Sequence, residues 1–370
     1  MISPIVIAVI ISGISGFLAA ILVFAERVIS NYGEVELNIN NGEKESIVRG
    51  GASLLEILVD QKLFIPSACG GRGTCGYCKV KVMEGGGPLL PTEEPFLDDT
   101  ERAGGYRLSC QVKVRQPINI EIPAELLSIR EYVCQCEKTK NYTYDIKEFN
   151  LKLIDPKEIK YKPGQYIQLL APAYEGSPEE VYRAYSISSD PADNSKIELI
   201  VRRVPQGICT TYLFDHLKDG QELKINGPYG QFYLRETAAP IIFIAGGSGI
   251  APIKSILHHM QNSGIKRKAV FFFGVNTTKD LFLVDEMKQF EKGIPDFEFI
   301  PVVAQPEEKS TWHGTTGWVT AAVEEFLKKA PDAGKYESYL CGSPGMIDAT
   351  VKILRKYAIP EEKYYYDKFA

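Results

Sequence analysis

Hydrophobic and polar positions alternate with a period of two in the first part of the chain beyond residue 32. Val35, Leu37 and Ile39 are separated by polar residues, and an Asn-Asn-Gly-Glu turn follows them, which predicts a β-hairpin. Over residues 52–60 the leucines recur with helical spacing. Renewed alternation predicts further strands over 79–83 and 119–122. Strands arranged around one helix predict a small α+β domain over residues 33–125.

The pattern changes twice more along the chain. Residues 130–235 are rich in β-forming residues separated by turn signals, which predicts an antiparallel β domain. In residues 237–370 the apolar runs become continuous, as expected for parallel strands covered on both faces. These runs cover 241–245 and 269–273, and helical spacing follows over 252–260 and 319–327. Strand, glycine turn, helix and strand in this order predict a doubly wound α/β nucleotide-binding domain.

The N-terminus has a different character, because residues 4–25 contain no charge. Twenty-two residues of helix span about 33 Å, enough for a bilayer core of about 30 Å. A cleaved signal peptide is the alternative, but no Lys or Arg precedes Arg27. We therefore expect residues 1–30 to be a transmembrane anchor. The protein would then be single-pass in the inner (cytoplasmic) membrane, with its soluble domains on the cytoplasmic side.

Composition limits the other classes of function. The chain has 370 residues, which allows two or three soluble domains. Its formal net charge is -5, so nothing favours binding to nucleic acid.

Eight cysteines are present, and four of them are spaced as ligands. Three stand close together in a glycine-rich segment and the fourth follows about thirty residues later, which is the ferredoxin arrangement for a [2Fe–2S] cluster. Structural zinc and disulfides are the alternatives; no histidine precedes His216, and disulfides are typical of small secreted domains. The predicted ligands are Cys69, Cys75, Cys78 and Cys110. Cys134, Cys136 and Cys209 are expected to be buried apolar residues.

A second set of residues, around an Arg-x-Tyr-Ser motif, has the chemistry of a flavin site. Arg183 can neutralise a pyrophosphate, Tyr185 offers a flat ring to the isoalloxazine, and Ser186 can form a hydrogen bond with the flavin N5. A predicted helix start downstream suits a phosphate. The other predicted FAD-binding residues are Arg202, Gly207, Thr210 and Thr211.

A glycine turn follows the apolar strand 241–245 and precedes a helix, which is the context of a dinucleotide phosphate site. The predicted NADH-binding residues there are Gly246, Gly247, Gly249 and Pro252. Asn276 and Asp280 lie where a second ribose phosphate would need a cation, so NADH is expected. Lys279 keeps NADPH open as an alternative.

Taken in order, these motifs resemble the ferredoxin–NADP reductase superfamily and its iron–sulfur flavoprotein reductases. The resemblance implies a β-grasp ferredoxin domain, an antiparallel β-barrel FAD domain and an NAD domain. It also places Cys341 of the Cys-Gly-Ser-Pro segment at the nicotinamide C4, beside Ser186, with Gly342 in the NADH site. Phe369 would shield the flavin.

With the anchor included, the domain order resembles the F subunits of sodium-translocating NADH:quinone oxidoreductases. This resemblance implies an NADH dehydrogenase with FAD and a [2Fe–2S] cluster, working beside other membrane-complex subunits. A reductase that delivers electrons to an oxygenase or to another acceptor protein is the alternative. The acceptor, and any coupling to sodium transport, stay open.

Overall fold

The computed structural model describes residues 12–19, 21 and 32–369. Residues 12–19 and 21 are helical. Most of the anchor predicted over residues 1–30 lies outside the described residues. Within the part of the chain that is described, no helix is both long and apolar enough to cross a membrane.

The described residues form two compact units. The first contains the described residues up to Pro66 together with Gly71–Ser128, and the second contains Ser67–Gly70 and the chain from Ile129 onward.

The first unit is a mixed sheet packed against one main helix. Its strands pair in the order β2-β1-β5-β3-β4, and all neighbours are antiparallel except β1 and β5. The strands are β1 Glu34–Ile39, β2 Lys44–Arg49, β3 Lys79–Glu84, β4 Tyr106–Leu108 and β5 Ile118–Glu121. The helices are α1 Leu54–Asp60, the 3₁₀ turn Glu94–Phe96, α2 Asp99–Ala103 and α3 Ala124–Leu127.

Local sequence explains where α1 begins and the hairpin turns. The Ser53 side chain accepts from the backbone N–H of Glu56, whose carboxylate accepts from the Ser53 N–H. Asn40 and Asn41 take positive φ angles of 53° and 56°, a conformation that asparagine tolerates, and this confirms the predicted turn. The core that α1 covers includes Leu37, Leu54, Leu58, Leu108 and Ile120, each completely buried.

The flavin half of the second unit is a six-stranded antiparallel sheet in the order β10-β7-β6-β11-β8-β9. An isolated antiparallel bridge between Ile187 and Leu199 joins the segment after β9 to β10, the opposite edge strand. The strands are β6 Arg130–Asn141, β7 Ile146–Asp155, β8 Tyr166–Ala171, β9 Val181–Ser186, β10 Lys196–Arg202 and β11 Glu222–Tyr229. Helix α4 Ile208–Thr211 continues into the π-helical turn Tyr212–His216.

The nucleotide half is a parallel sheet in the order β15-β14-β13-β12-β16-β17. Its central strands are completely buried at Phe243, Ile244, Phe271 and Phe273, as predicted for strands covered on both faces. The strands are β12 Ile241–Gly246, β13 Ala269–Val275, β14 Phe297–Val303, β15 Thr315–Thr316, β16 Glu337–Gly342 and β17 Tyr364–Lys368. The helices are α5 Ile250–Asn262, α6 Val284–Gly293, α7 Val319–Lys329 and α8 Pro344–Lys356, with 3₁₀ turns at Gly247–Gly249, Thr278–Asp280, Ala333–Lys335 and Glu361–Lys363.

Candidate functional site

The cysteine-rich segment before β3 is irregular, and its glycines set its path. Gly70, Gly71, Gly73 and Gly76 have φ between 64° and 86°, a region that side chains with a Cβ disfavour. A Cβ on Gly76 would lie 2.7 Å from the Phe96 ring, so only glycine fits this turn. Glycine is therefore required at several turns of the segment that carries three of the predicted ligands.

Two of the predicted ligands lie side by side in the first unit. Cys78 immediately precedes β3, Cys110 follows β4, and their sulfurs are 3.3 Å apart. This exceeds the bond length of about 2.05 Å in a disulfide, and both thiols are free. The Cys110 side chain and burial raise the pKa of the Cys78 thiol far above its usual range. Two sulfurs at this distance are suited to bind one iron cluster, whose metal ions stabilise the thiolate form of their ligands.

The wider donor set has the chemistry of an iron–sulfur site. The Gln111 amide nitrogen donates to the Cys110 sulfur at 3.6 Å, the type of contact that stabilises a ligating thiolate. Across the described residues, no three His, Cys, Asp or Glu side chains are gathered within reach of one metal ion. The structure thus brings Cys78 and Cys110 together, while Cys69 and Cys75 are partly buried in the loop.

A buried ion pair that the sequence did not indicate supports Cys110. The Arg107 guanidinium binds the completely buried Glu93 carboxylate at 2.6 Å and also donates to the carbonyls of Gly86, Gly87 and Pro88. Glu93 in turn accepts from the backbone N–H of Leu108. The pair thus holds β4, which ends two residues before Cys110, against the loop after β3.

On the flavin half, β9 carries the Arg-x-Tyr-Ser motif. Arg183 donates to the carbonyl of Tyr182 at 2.7 Å. Burial raises the pKa of the Tyr185 hydroxyl well above its usual value, and the neighbouring Cys209 adds to this shift. Ser186 is buried at the end of the strand. The motif therefore places a guanidinium, an aromatic ring and a hydroxyl on one strand.

One predicted FAD-binding residue, Thr210, stabilises the turn after β10. The Thr210 hydroxyl accepts from the backbone N–H of Val204 at 3.2 Å and lies 3.2 Å from the carbonyls of Val204 and Gly207. Arg202 forms an ion pair with Asp145 at 2.7 Å and lines the nucleotide cavity described below. Burial lowers the pKa of Arg202, but the bond to Asp145 outweighs this and raises it above the usual value. Arg202 thus remains a cation at the wall of the cavity.

The glycine turn between β12 and α5 forms one wall of a cavity of about 180 Å³. Gly247 has φ 55°, and the nearest atom to a Cβ there would be an Arg202 nitrogen at 3.8 Å, so this glycine faces open space. A Cβ on Gly249 would lie 2.2 Å from the Cys341 carbonyl oxygen, which fixes the turn on β16. The lining also includes Asp145, Asn276, Asp280, Trp318, Ser343 and Met346.

Asp280 has a structural task beside its place in the cavity. Its carboxylate accepts from the Thr277 backbone N–H at 2.9 Å and from the Thr277 hydroxyl at 3.0 Å. This capping box begins the 3₁₀ turn that follows β13. The negative charge is therefore held in a fixed position at the cavity wall.

The three strands that end near Ser186 and Cys341 bring in a residue that sequence reasoning missed. The Ser186 hydroxyl donates to the Asp367 carboxylate at 3.4 Å, and Asp367 pairs with Cys341 in the register of β16 and β17. Burial raises the pKa of Asp367 to about 6, whereas the bond from Ser186 lowers it. Burial also raises the pKa of the Cys341 thiol well above its usual value.

Phe369 follows β17 and is held beside this group. Its backbone N–H donates to the Gly342 carbonyl at 2.9 Å, and its ring packs on the core of the nucleotide half. A hydroxyl, a neutral thiol and a carboxyl thus meet where strands from both halves of the second unit end.

Comparison with known proteins identifies three domains. The chain matches the 2Fe-2S iron-sulfur cluster binding domain over residues 38–115, the oxidoreductase FAD-binding domain over 133–233, and the oxidoreductase NAD-binding domain over 243–352. It is 32% identical to the F subunit of the Na(+)-translocating NADH-quinone reductase of Marinomonas sp. (strain MWYL1), with 95% of each chain covered. The corresponding F subunit of Idiomarina loihiensis is 33% identical, again over 95% of each chain.

The chain belongs to the family of Na(+)-translocating NADH-quinone reductase F subunits.

Two similar solved structures are reductases of oxygenase systems. The Amycolatopsis cytochrome P450 reductase GcoB has a TM-score of 0.71 and 26% identity, covering 90% of this chain and 98% of its own. The ferredoxin reductase of carbazole 1,9a-dioxygenase has a TM-score of 0.70 and 25% identity, covering 91% and 99%.

These comparisons confirm the resemblance stated from the sequence, and the predicted cofactors, [2Fe–2S], FAD and NAD(H), match the three domains found in this chain. The predicted burial of Cys134, Cys136 and Cys209 is confirmed as well. Asp367 carried one sequence signal, because it stands between three tyrosines and Phe369, two residues before Phe369. Lys254, which is 4% exposed, carried none.

Proposed function

We propose that this chain is the NADH-oxidising, membrane-anchored component of a respiratory quinone reductase. The observation that carries the proposal is the contact of Ser186 with Asp367 at 3.4 Å, together with the pairing of Asp367 with Cys341 in strand register. When bound, FAD takes two electrons with a hydride and releases them singly, and a [2Fe–2S] cluster carries single electrons.

The residues of this chain would bind the cofactors, orient them and exclude water from them. The flavin half would hold FAD, and its six-stranded sheet would close into a β-barrel. The residues that would contact FAD there are Arg183, Tyr185, Arg202, Gly207, Thr210 and Thr211. Ser186 would form a hydrogen bond at the reacting edge of the flavin. Phe369 would cover the face that the nicotinamide approaches. Because Cys341 is completely buried and its thiol is neutral, it can pack against a nicotinamide without charge.

The nicotinamide dinucleotide would bind at Gly246, Gly247, Gly249, Pro252, Asn276, Asp280 and Gly342. Gly247 faces open space, so a phosphate can approach its backbone closely. The fixed carboxylate of Asp280 opposes a second ribose phosphate, which favours NADH over NADPH. Cys69, Cys75, Cys78 and Cys110 would ligate the cluster.

Residues 1–30 would anchor the protein in the inner membrane, with the domains on the cytoplasmic side and other membrane proteins of the complex as partners. The uncharged run 4–25 supports this placement, and so does membership of the family of F subunits.

The decisive experiment is an anaerobic NADH titration of the full chain purified in detergent. Bleaching near 450 nm should report reduction of the flavin, and a rhombic electron paramagnetic resonance signal should report the reduced cluster. NADPH at the same concentration should act at least ten-fold more slowly. A preparation without iron, sulfide or flavin after anaerobic reconstitution would contradict the proposal.

A second function, delivery of electrons to an oxygenase, is supported by the two structural neighbours from oxygenase systems. Affinity purification of the tagged full chain from native membranes separates the two functions. Copurifying integral membrane subunits support the quinone reductase, whereas a soluble oxygenase in their place supports the alternative.

A further inference from the structure

A buried lysine lies among three carboxylates, and none of these four side chains lines the nucleotide cavity. Lys254, on α5, has a side chain that is 5% exposed. Its ammonium lies 3.1 Å from Glu198, 3.4 Å from Glu286 and 3.7 Å from Glu148. We call these four residues the Lys254 cluster.

The Lys254 cluster joins the two halves of the second unit. Glu148 belongs to β7 and Glu198 to β10, both strands of the flavin sheet. Lys254 and Glu286 belong to α5 and α6 of the nucleotide half. Two of the three ion pairs therefore cross from one half to the other, and the pair with Glu286 does not.

Neighbouring side chains hold the carboxylates in place. Tyr142 donates to Glu148 at 2.5 Å, Asn150 donates to its other oxygen, and Lys196 lies 3.4 Å from Glu198. His258 faces Glu286 at 3.8 Å, and burial together with Lys254 lowers its pKa. Burial lowers the pKa of Lys254, but Glu198, Glu286 and Glu148 outweigh this and raise it. A small shift of one half against the other would weaken two of the three ion pairs of a lysine that stays buried, which is unfavourable.

Apolar contacts alone would leave the relative position of the halves less well defined. Ile146 and Ile200 of the flavin sheet share a core cluster with Ile250 and Ile253 of α5. Burial of such side chains is favourable but non-directional. The charged contacts of the Lys254 cluster, in contrast, depend on distance and angle.

Short paths lead from the Lys254 cluster to the residues proposed to act on hydride transfer. The Glu198 carbonyl accepts from the Ser188 N–H at 2.8 Å, two residues after Ser186. On the other side, Lys254 follows Gly249 by five positions in the sequence, and Gly249 packs directly on the Cys341 carbonyl. A shift of Glu198 relative to Lys254 would therefore change the distance between Ser186 and Cys341.

We propose that Lys254 is a positioning residue, whose ion pairs with Glu198 and Glu148 hold the flavin and nucleotide halves at the separation needed for hydride transfer. This inference rests on the proposed NADH oxidation, and it assigns Lys254 no contact with NADH or FAD.

The test compares Lys254→Met with Lys196→Met in the full-length holoprotein. Methionine keeps much of the length of the side chain and removes the charge. Lys196 binds the same Glu198 carboxylate but belongs to the flavin sheet itself, so its loss leaves the connection between the halves intact. Stopped-flow reduction of the flavin by NADH should slow about 10- to 100-fold in K254M and less than three-fold in K196M, with the NADH Kd changed less than three-fold in both.

A second readout requires no nucleotide and no turnover. Hydrogen exchange of the nucleotide-free protein should be at least ten-fold faster at the Ser188 amide and in the first turn of α5 for K254M, and unchanged for K196M. Lys254→Arg, which keeps the cation, should restore protection. Unchanged flavin reduction and exchange in K254M, or equal effects in both variants, would overturn the proposal.

A milder pair of variants decides the question if K254M does not fold. Glu198→Gln weakens an ion pair between the halves, whereas Glu286→Gln weakens one within the nucleotide half. E198Q should slow flavin reduction at least five-fold more than E286Q, and an equal effect would contradict the positioning role. If the wild-type protein itself is not reduced by NADH, the proposed function fails, and this outcome is distinct from a failure of the variant comparison.

Discussion

The Ser186 hydroxyl donates to the carboxylate of Asp367 at 3.4 Å across a sequence separation of 181 residues. The bond joins the end of β9 in the flavin half to β17 in the nucleotide half. Asp367 also pairs with Cys341 in the register of β16 and β17, so one residue contacts Ser186 through its side chain and neighbours Cys341 through the sheet.

Ser186→Ala is expected to slow flavin reduction by NADH about 10- to 100-fold, because it removes a donor placed at the reacting edge of the flavin. FAD content should stay unchanged, since the other binding residues remain. Stopped-flow absorbance at 450 nm measures the rate.

Ser338→Ala is the matched control for that variant. Ser338 is also completely buried, and its hydroxyl has no hydrogen-bond partner among the described residues. In S338A, NADH should reduce the flavin at the wild-type rate. A rate in S186A equal to that of S338A would contradict the role given to Ser186.

Asp367→Asn is expected to change how stability depends on pH. Burial raises the pKa of Asp367 to about 6 from 3.8, so the folded state holds the proton more tightly than the unfolded state. The stabilisation by the neutral carboxyl is complete below about pH 4 and is lost as the pH rises through 6. The variant, neutral throughout, should exceed the wild-type free energy of unfolding by about 3 kcal/mol at pH 8 and match it at pH 4.

Urea unfolding followed by tryptophan fluorescence measures this, since the only two tryptophans of the chain, Trp312 and Trp318, lie in the nucleotide half. Asp348→Asn is the control, because that carboxylate is 57% exposed and pairs with Lys368 at the surface. It should change stability by less than about 0.5 kcal/mol at either pH. A pH-independent effect of D367N would contradict a raised pKa of the Asp367 carboxyl in the wild-type protein.

Sequence reasoning found those parts of the site that are encoded locally. The glycine turn after β12 and the Arg-x-Tyr-Ser strand can each be recognised from a segment of about ten residues. In each case the same short segment determines the backbone conformation and supplies the groups that would contact a ligand. The Ser186–Asp367 bond and the Lys254 cluster depend on which strands and helices become neighbours. The periodicity of apolar residues does not show which strands and helices become neighbours. A lysine in an amphipathic helix is therefore expected to be exposed to solvent until its neighbours are known.

Cys110→Ala is expected to abolish the cluster while leaving the flavin active. Iron, labile sulfide and the electron paramagnetic resonance signal should fall to background, because Cys110 is one of two sulfurs that the fold brings to 3.3 Å. NADH-driven reduction of ferricyanide should stay within about two-fold, since the flavin can donate to it directly.

Cys136→Ala provides the comparison, because Cys136 is completely buried in β6 of the flavin sheet. It should keep its iron and lose at most about 1 kcal/mol of stability. Retention of iron in C110A would remove Cys110 from the ligand set.

Asn276→Arg is expected to raise the ratio of kcat/KM for NADPH to that for NADH about ten-fold. An arginine at this exposed position of the cavity wall would place a cation where the second ribose phosphate lies. Steady-state rates with both nucleotides give the ratio. Lys279→Ala should leave this kcat/KM ratio unchanged. A lower kcat/KM for NADPH in K279A would instead assign the phosphate contact to Lys279.

The tight fit of Gly249 against the Cys341 carbonyl oxygen limits how the protein can be altered. A methyl group there would meet backbone at 2.2 Å, and backbone cannot swing aside as a side chain does. Substitutions at Gly249 are therefore a poor route to a change of nucleotide preference, whether in evolution or in engineering. A change of nucleotide preference is therefore expected from substitutions at Asn276, whose side chain is exposed at the cavity wall.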